Sequence, residues 1–165
     1  MPATYEPIAT ANGTGSSNTV SFTSIPATYT DLVLVFEGAV TSGGTASLDF
    51  ILNNVTTGGL YSNTRLQGNG TTASSSRNAS GNTGTIGYVS SSNRSMSIIN
   101  IMNYANTTTF KTAINRTMTS DATDGRVGVY VNLFSSTSAI NRVDLSASQN
   151  FTTTSVFTLY GIKAA

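Results

Sequence analysis

The chain has 165 residues, 9% of them charged, a net charge of +1, no cysteine and no histidine. That length suits one domain with a single core, burying roughly 70% of the surface its unfolded chain would expose. The charge balance excludes a nucleic-acid footprint, and the cysteine count excludes disulfides and thiolate metal sites. Seven Tyr and seven Phe among many Val, Ile and Thr speak for a folded chain rather than a disordered one.

The first residues, Met-Pro-Ala-Thr-Tyr-Glu-Pro, carry neither a basic region nor an apolar segment, so no secretory signal is expected. Residues 4–10 read as an extended piece that Pro7 confines to an edge, so residues 1–17 are expected to form an arm or edge strand ahead of a domain over 18–165. Val20 and Phe22 alternate with polar neighbours in a short strand. Residues 30–37, Thr-Asp-Leu-Val-Leu-Val-Phe-Glu, form the organising element. Five apolar residues between two carboxylates, bracketed by Ile25-Pro26 and Gly38, predict a strand with Leu32, Leu34 and Phe36 on one face and Val33 and Val35 on the other. A strand apolar on both faces belongs mid-sheet, its second face covered by something other than water, such as a second subunit. Residues 46–53 predict another strand with Leu48, Phe50 and Leu52 on one side, paired with the first as its antiparallel neighbour.

Residues 60–66 carry a weaker strand signal that sets Tyr61 and Arg65 on one face. Residues 68–84, which include Arg77, hold no large apolar side chain and read as a long loop. Ile86 and Tyr88 mark a further strand, and 96–103 and 108–118 two more, joined by a tight turn at 104–107. Residues 126–134 alternate most clearly, Val127, Val129, Val131 and Leu133 against Gly128, Tyr130, Asn132 and Phe134. Strands at 140–145 and 156–162 complete a set of about ten. The fold class is therefore all-β, a single-domain antiparallel β-sandwich of jelly-roll type. With so few charges to protect its strand edges, the protein is expected to have them covered inside an oligomer or a larger assembly.

No catalytic residues are assigned. Without His or Cys there is no triad and no thiol nucleophile, and the seven carboxylates offer no recognisable pair. Asp121 and Asp124 could ligate calcium, but they read more simply as a turn, so no metal or cofactor is expected. The longest unbroken apolar run, Leu32 to Phe36, is far short of a membrane span. The residues suited to contacting a partner protein or a glycan are Tyr5, Pro7, Tyr61, Arg65, Arg77, Tyr88 and Tyr104, aromatic or cationic groups of the kind enriched at interfaces.

Taken in order, Tyr5-Glu6-Pro7-Ile8-Ala9-Thr10, Ile25-Pro26 before Tyr29-Thr30-Asp31-Leu32-Val33-Leu34, Tyr61-Ser-Asn-Thr-Arg-Leu66 with Gly68-Asn-Gly70, Ile101 to Lys111 and Phe157-Thr-Leu-Tyr-Gly-Ile162 resemble a group of small tailed-phage virion proteins common in phages of aquatic bacteria. The resemblance implies a non-enzymatic structural role on a virion assembled in the bacterial cytoplasm. Its leading form is a capsid decoration (cement) protein that oligomerises, with a trimer favoured, and clamps the major capsid protein shell. The alternative is a tail, fibre or head-spike module that binds host surface glycans.

Overall fold

A computed structural model describes residues 4–120 and 125–163. These contain twelve strands and no helix: β1 (Tyr5–Asn12), β2 (Thr19–Phe22), β3 (Asp31–Gly38), β4 (Thr45–Leu52), β5 (Tyr61–Gly68), β6 (Ala73–Gly81), β7 (Gly84–Ser90), β8 (Ser95–Met102), β9 (Lys111–Thr119), β10 (Arg126–Phe134), β11 (Val143–Ala147) and β12 (Val156–Ile162). Every pairing is antiparallel. An eight-stranded sheet runs β1-β12-β3-β8-β9-β10-β5-β6, and a four-stranded sheet runs β2-β11-β4-β7.

Two sets of strands account for this order. β1, β2, β3 and β4 pair with β12, β11, β8 and β7 respectively, as the two arms of one long hairpin would. The β12–β3 and β11–β4 ladders then roll that hairpin into two sheets, β1-β12-β3-β8 and β2-β11-β4-β7. This is jelly-roll winding. The remaining strands are insertions: β5 and β6 between β4 and β7, and β9 and β10 between β8 and β11. Both join the same sheet beyond β8. The large sheet therefore extends past the edge of the small one.

The core lies between the two jelly-roll sheets. Leu32, Leu34 and Phe36 of β3, Leu48, Phe50 and Leu52 of β4, and Phe157 and Leu159 of β12 all point into it and are buried. Phe36, Phe151 and Phe157 form an aromatic cluster with ring centroids 4.8–5.8 Å apart. Gly84 lets Phe50 pack flat across β7, since a Cβ at that position would lie 2.2 Å from the ring.

Beneath β7 the core turns polar. β7 is an edge of the small sheet, and its backbone is satisfied by side chains of the large one. Asn132 accepts from the Thr85 amide (2.9 Å) and donates to the Thr85 carbonyl (3.0 Å) and to Asn115 Oδ1 (3.0 Å). Asn115 donates to the Ile86 carbonyl (2.7 Å), and Thr119 to the Tyr88 carbonyl (2.7 Å). Buried backbone groups need partners, and here amides and hydroxyls take the place of a missing strand.

Several expectations are corrected. Residues 68–84 are not a continuous loop, because β6 pairs with β5 along 73–81. Every residue of β6 except Gly81 is exposed, so no alternation betrays it. β3 and β4 are not neighbours: β3 lies between β12 and β8, while β4 lies between β11 and β7, because the 39–44 connection crosses between sheets. Twelve strands replace the expected ten or so. The carboxylates considered for calcium, Asp121 and Asp124, lie outside the described residues.

Candidate functional site

The outer face of the large sheet, turned away from the core, is unusually apolar. Register places its side chains in rows across the strands. One row is Glu37, Met96, Met118 and Val127. The next is Val35, Ile98, Arg116, Val129 and Leu66, and a third is Val33, Asn100, Ile114 and Val131. An antiparallel sheet facing water would alternate apolar-in with polar-out, yet here Val127 is 65% exposed, Leu66 61% and Val131 50%. Arg116 is the one cation inside this patch. Five strands at about 4.8 Å spacing and six residues along the strand give a footprint on the order of 400 Å². Patches of about that size are the largest an ordinary monomer exposes and are often functional. Two shallow depressions of about 270 and 360 Å³ flank Val127 and Val129, the second lined also by Met96, Ile98 and Met118.

A second candidate lies on the other side of the sheet, where β5 and β6 overhang the small sheet. A cleft of about 260 Å³ is lined by Asn63, Arg65, Ser76, Arg77, Asn78 and Thr85. Asn63 donates to Thr85 Oγ1 (3.2 Å), and Arg65 Nη1 reaches the Tyr88 hydroxyl at 3.5 Å. Arg65 Nε is buried without a hydrogen-bond partner. The Arg126 guanidinium lies 4.2 Å over the Tyr88 ring. Burial holds the Tyr130 hydroxyl, beside Arg65, above its ordinary pKa.

Asp49 touches this region through Thr85. Burial pushes its carboxyl up to about 6, a hydrogen bond with Thr85 offsetting only part of that cost. A raised carboxyl pKa means that the folded state holds the proton more tightly than the unfolded chain. Its stabilisation is therefore present below 3.8 and is lost as pH rises through about 6. Asp49→Asn is expected to stabilise the protein by about 1–3 kcal/mol at pH 7.5 and by little at pH 3.5. Urea unfolding of both proteins at the two pH values checks this, and an equal difference at both would contradict it.

The residues expected to contact partners fall into three groups. Arg65 and Tyr88 come together at the polar cleft, where Arg77 of β6 is also in the lining although its register with Thr64 sets its side chain on the outer face. Tyr5 and Pro7 sit on β1 at the opposite edge, seven strand spacings or about 34 Å away, with Tyr5 set edge-on against Tyr160. Tyr61 and Tyr104 are core residues, 1% and 0% exposed. The Tyr61 hydroxyl accepts from the Leu52 amide (2.8 Å) and donates to the Val55 carbonyl (3.2 Å), and burial pushes its pKa up to about 12. The Tyr104 hydroxyl donates to the Pro26 carbonyl. Each ring is inside because its hydroxyl finds backbone partners there, which rules both out as surface contacts.

Sequence reasoning anticipated a second apolar face at Val33 and Val35 but missed its spread across β8, β9 and β10. Its signal was present in 126–134, where four large aliphatic residues share one side, but the inner side also carries Tyr130 and Phe134. Among the described residues, no three His, Cys, Asp or Glu side chains are grouped to hold a metal ion. Glu6, Glu37 and Asp144 are paired with Lys163, Arg94 and Arg142 on three separate elements, and burial rather than a second carboxylate raises Asp49.

The chain matches no family model and no curated protein. Among solved structures, the catalytic domain of PdAgaC aligns over 99% of this chain and 77% of its own length, at 6% identity and a TM-score of 0.25, a level of likeness that carries no argument.

Proposed function

We propose that this chain is a structural protein of a phage virion, a capsid decoration protein that self-associates through the outer face of its large sheet and binds the shell of major capsid protein. The observation that carries the self-association is the exposed apolar patch on β8, β9 and β10. A stable interface buries about 800 Å² per partner around an apolar core, and the patch supplies a core of that kind. The resemblance of the ordered sequence motifs to phage virion proteins supports the setting. Jelly-roll sandwiches recur in viral capsid and lectin domains, which is compatible with this role without deciding it.

A trimer is the favoured stoichiometry. A two-fold axis through the patch would set Arg116 against its own copy, a like-charge contact, whereas three-fold closure brings different surfaces of neighbouring copies together. The exposed strand β1, bearing Tyr5 and Pro7, lies at the far edge of the sheet and is left available for the shell.

Cryo-electron microscopy of particles carrying the protein tests the assignment. Copies spread over the shell at local symmetry axes are expected. Copies confined to the tail or to one vertex would overturn the decoration role.

A further inference from the structure

We propose that the overhang cleft is a binding site for an acidic saccharide, a sugar bearing a carboxylate or sulfate oxyanion beside free hydroxyls. The cleft exists because β5 and β6 are inserted into the jelly roll and carry the large sheet beyond β7. Over the jelly-roll half, the inner face of this sheet is apolar, with Ile99, Ile101 and Ala113 buried against the small sheet. Past β7 that opposing sheet ends, and the side chains become Asn63, Arg65, Ser76 and Asn78. β6 holds only small residues and Asn apart from Arg77, which leaves the open volume.

The cleft holds a cation whose hydrogen bonding is incomplete. Arg65 is positioned between Tyr88 and Tyr130, and its Nε is buried without a hydrogen-bond partner. The Arg65 head thus carries its charge beside neutral hydroxyls alone, and an oxyanion in the cleft would supply the missing opposite charge. No carboxylate lines the cleft, Asp49 reaching it only through Thr85, and Arg77, in register with Thr64, carries its side chain on the other face of the sheet. A planar guanidinium fork fits a carboxylate or sulfate, with charge-assisted bonds about twice as strong as neutral ones. The amides of Asn63 and Asn78 and the hydroxyls of Ser76 and Thr85 are suited to adjacent sugar hydroxyls, which both donate and accept. A nucleotide base would need an aromatic face to stack on, but Arg126 already covers the Tyr88 ring. The cleft opens on the side of the sheet opposite the apolar face, so a bound sugar and a neighbouring copy do not compete. The proposal is independent of where the protein sits on a particle.

Isothermal titration calorimetry of the full chain with three probes tests it: an oligogalacturonate for carboxylates, a sulfated dextran oligosaccharide for sulfates, and a neutral dextran oligosaccharide of equal length. At least one acidic probe is expected to bind at least tenfold more tightly than the neutral one, and which of them does identifies the oxyanion. Arg65→Ala is expected to abolish that preference, with near-UV circular dichroism reporting whether the variant stays folded. Asn78→Ala changes an exposed side chain on the cleft face and serves as the second variant, with an expected loss of at least threefold in affinity for the acidic probe. Equal binding of all three probes, no binding of any, undiminished affinity of Asn78→Ala for the acidic probe, or full retention of the preference in a folded Arg65→Ala would overturn the proposal.

Discussion

Val131→Asp is expected to convert the assembled protein into a folded monomer. Val131 sits in the middle of the outer face, opposite Ile114 on β9 and Thr64 on β5, and half of its surface is open to solvent in the single chain. In the monomer the new carboxylate stands in water and costs only the strand preference of valine, within about 1 kcal/mol. In an assembly it would be buried without a partner, at a cost of several kcal/mol, enough to weaken association at least about a hundredfold. Light scattering coupled to size exclusion should give three times the 17.1 kDa chain mass for the unmodified protein and a single chain mass for the variant. Thr153→Asp, on an exposed loop away from the sheet, should leave the assembly intact. A variant that keeps the assembled mass would remove the outer face from the interface.

The polar seam under β7 sets the second large effect. Asn132→Leu keeps the branched shape and the number of heavy atoms but removes three hydrogen bonds, stranding the amide and carbonyl of Thr85 and the side-chain oxygen of Asn115. Each buried group left unpaired costs about 1–3 kcal/mol, and because neighbouring losses are not additive the expected total is about 4 kcal/mol. For a chain of this length that lowers the melting temperature by about 10 °C. Differential scanning calorimetry reads the shift. An unchanged midpoint would mean that β7 does not depend on side chains of the large sheet for its backbone bonds. The seam also explains why the inserted strands hold their place, since β9 and β10 are tied to the jelly roll by the same asparagines that seal its edge.

Periodicity made much of the architecture legible, while the rest depended on partners that no local pattern reveals. The doubly apolar run at 30–37 identified the middle strand, and Val33 and Val35 do face the second side of the sheet, as part of the apolar patch. The alternation at 126–134 gave β10 its length but not its polarity, because Tyr130, Asn132 and Phe134 point inward as a polar and aromatic set that composition alone would place outside. β6 was invisible because an edge strand with neither face covered needs no hydrophobic side chains. The separation of β3 from β4 follows from the rolling of the long hairpin, a long-range event that a short connection at 39–44 does not encode. Arg65 and Tyr88, singled out in the sequence as separate candidate contacts, meet at the cleft, while Tyr61 and Tyr104 misled because a tyrosine looks the same in sequence whether its hydroxyl meets water or the backbone.

Methionine oxidation tests the covered face most directly. Met96, Met102 and Met118 all lie on the outer side of the large sheet and are 40–44% exposed in the single chain. Brief hydroxyl-radical labelling followed by mass spectrometry should find the three protected in the unmodified protein and readily oxidised in the Val131→Asp monomer at the same concentration. Equal oxidation of the three methionines in both proteins would mean that nothing covers this face and would contradict assembly through it.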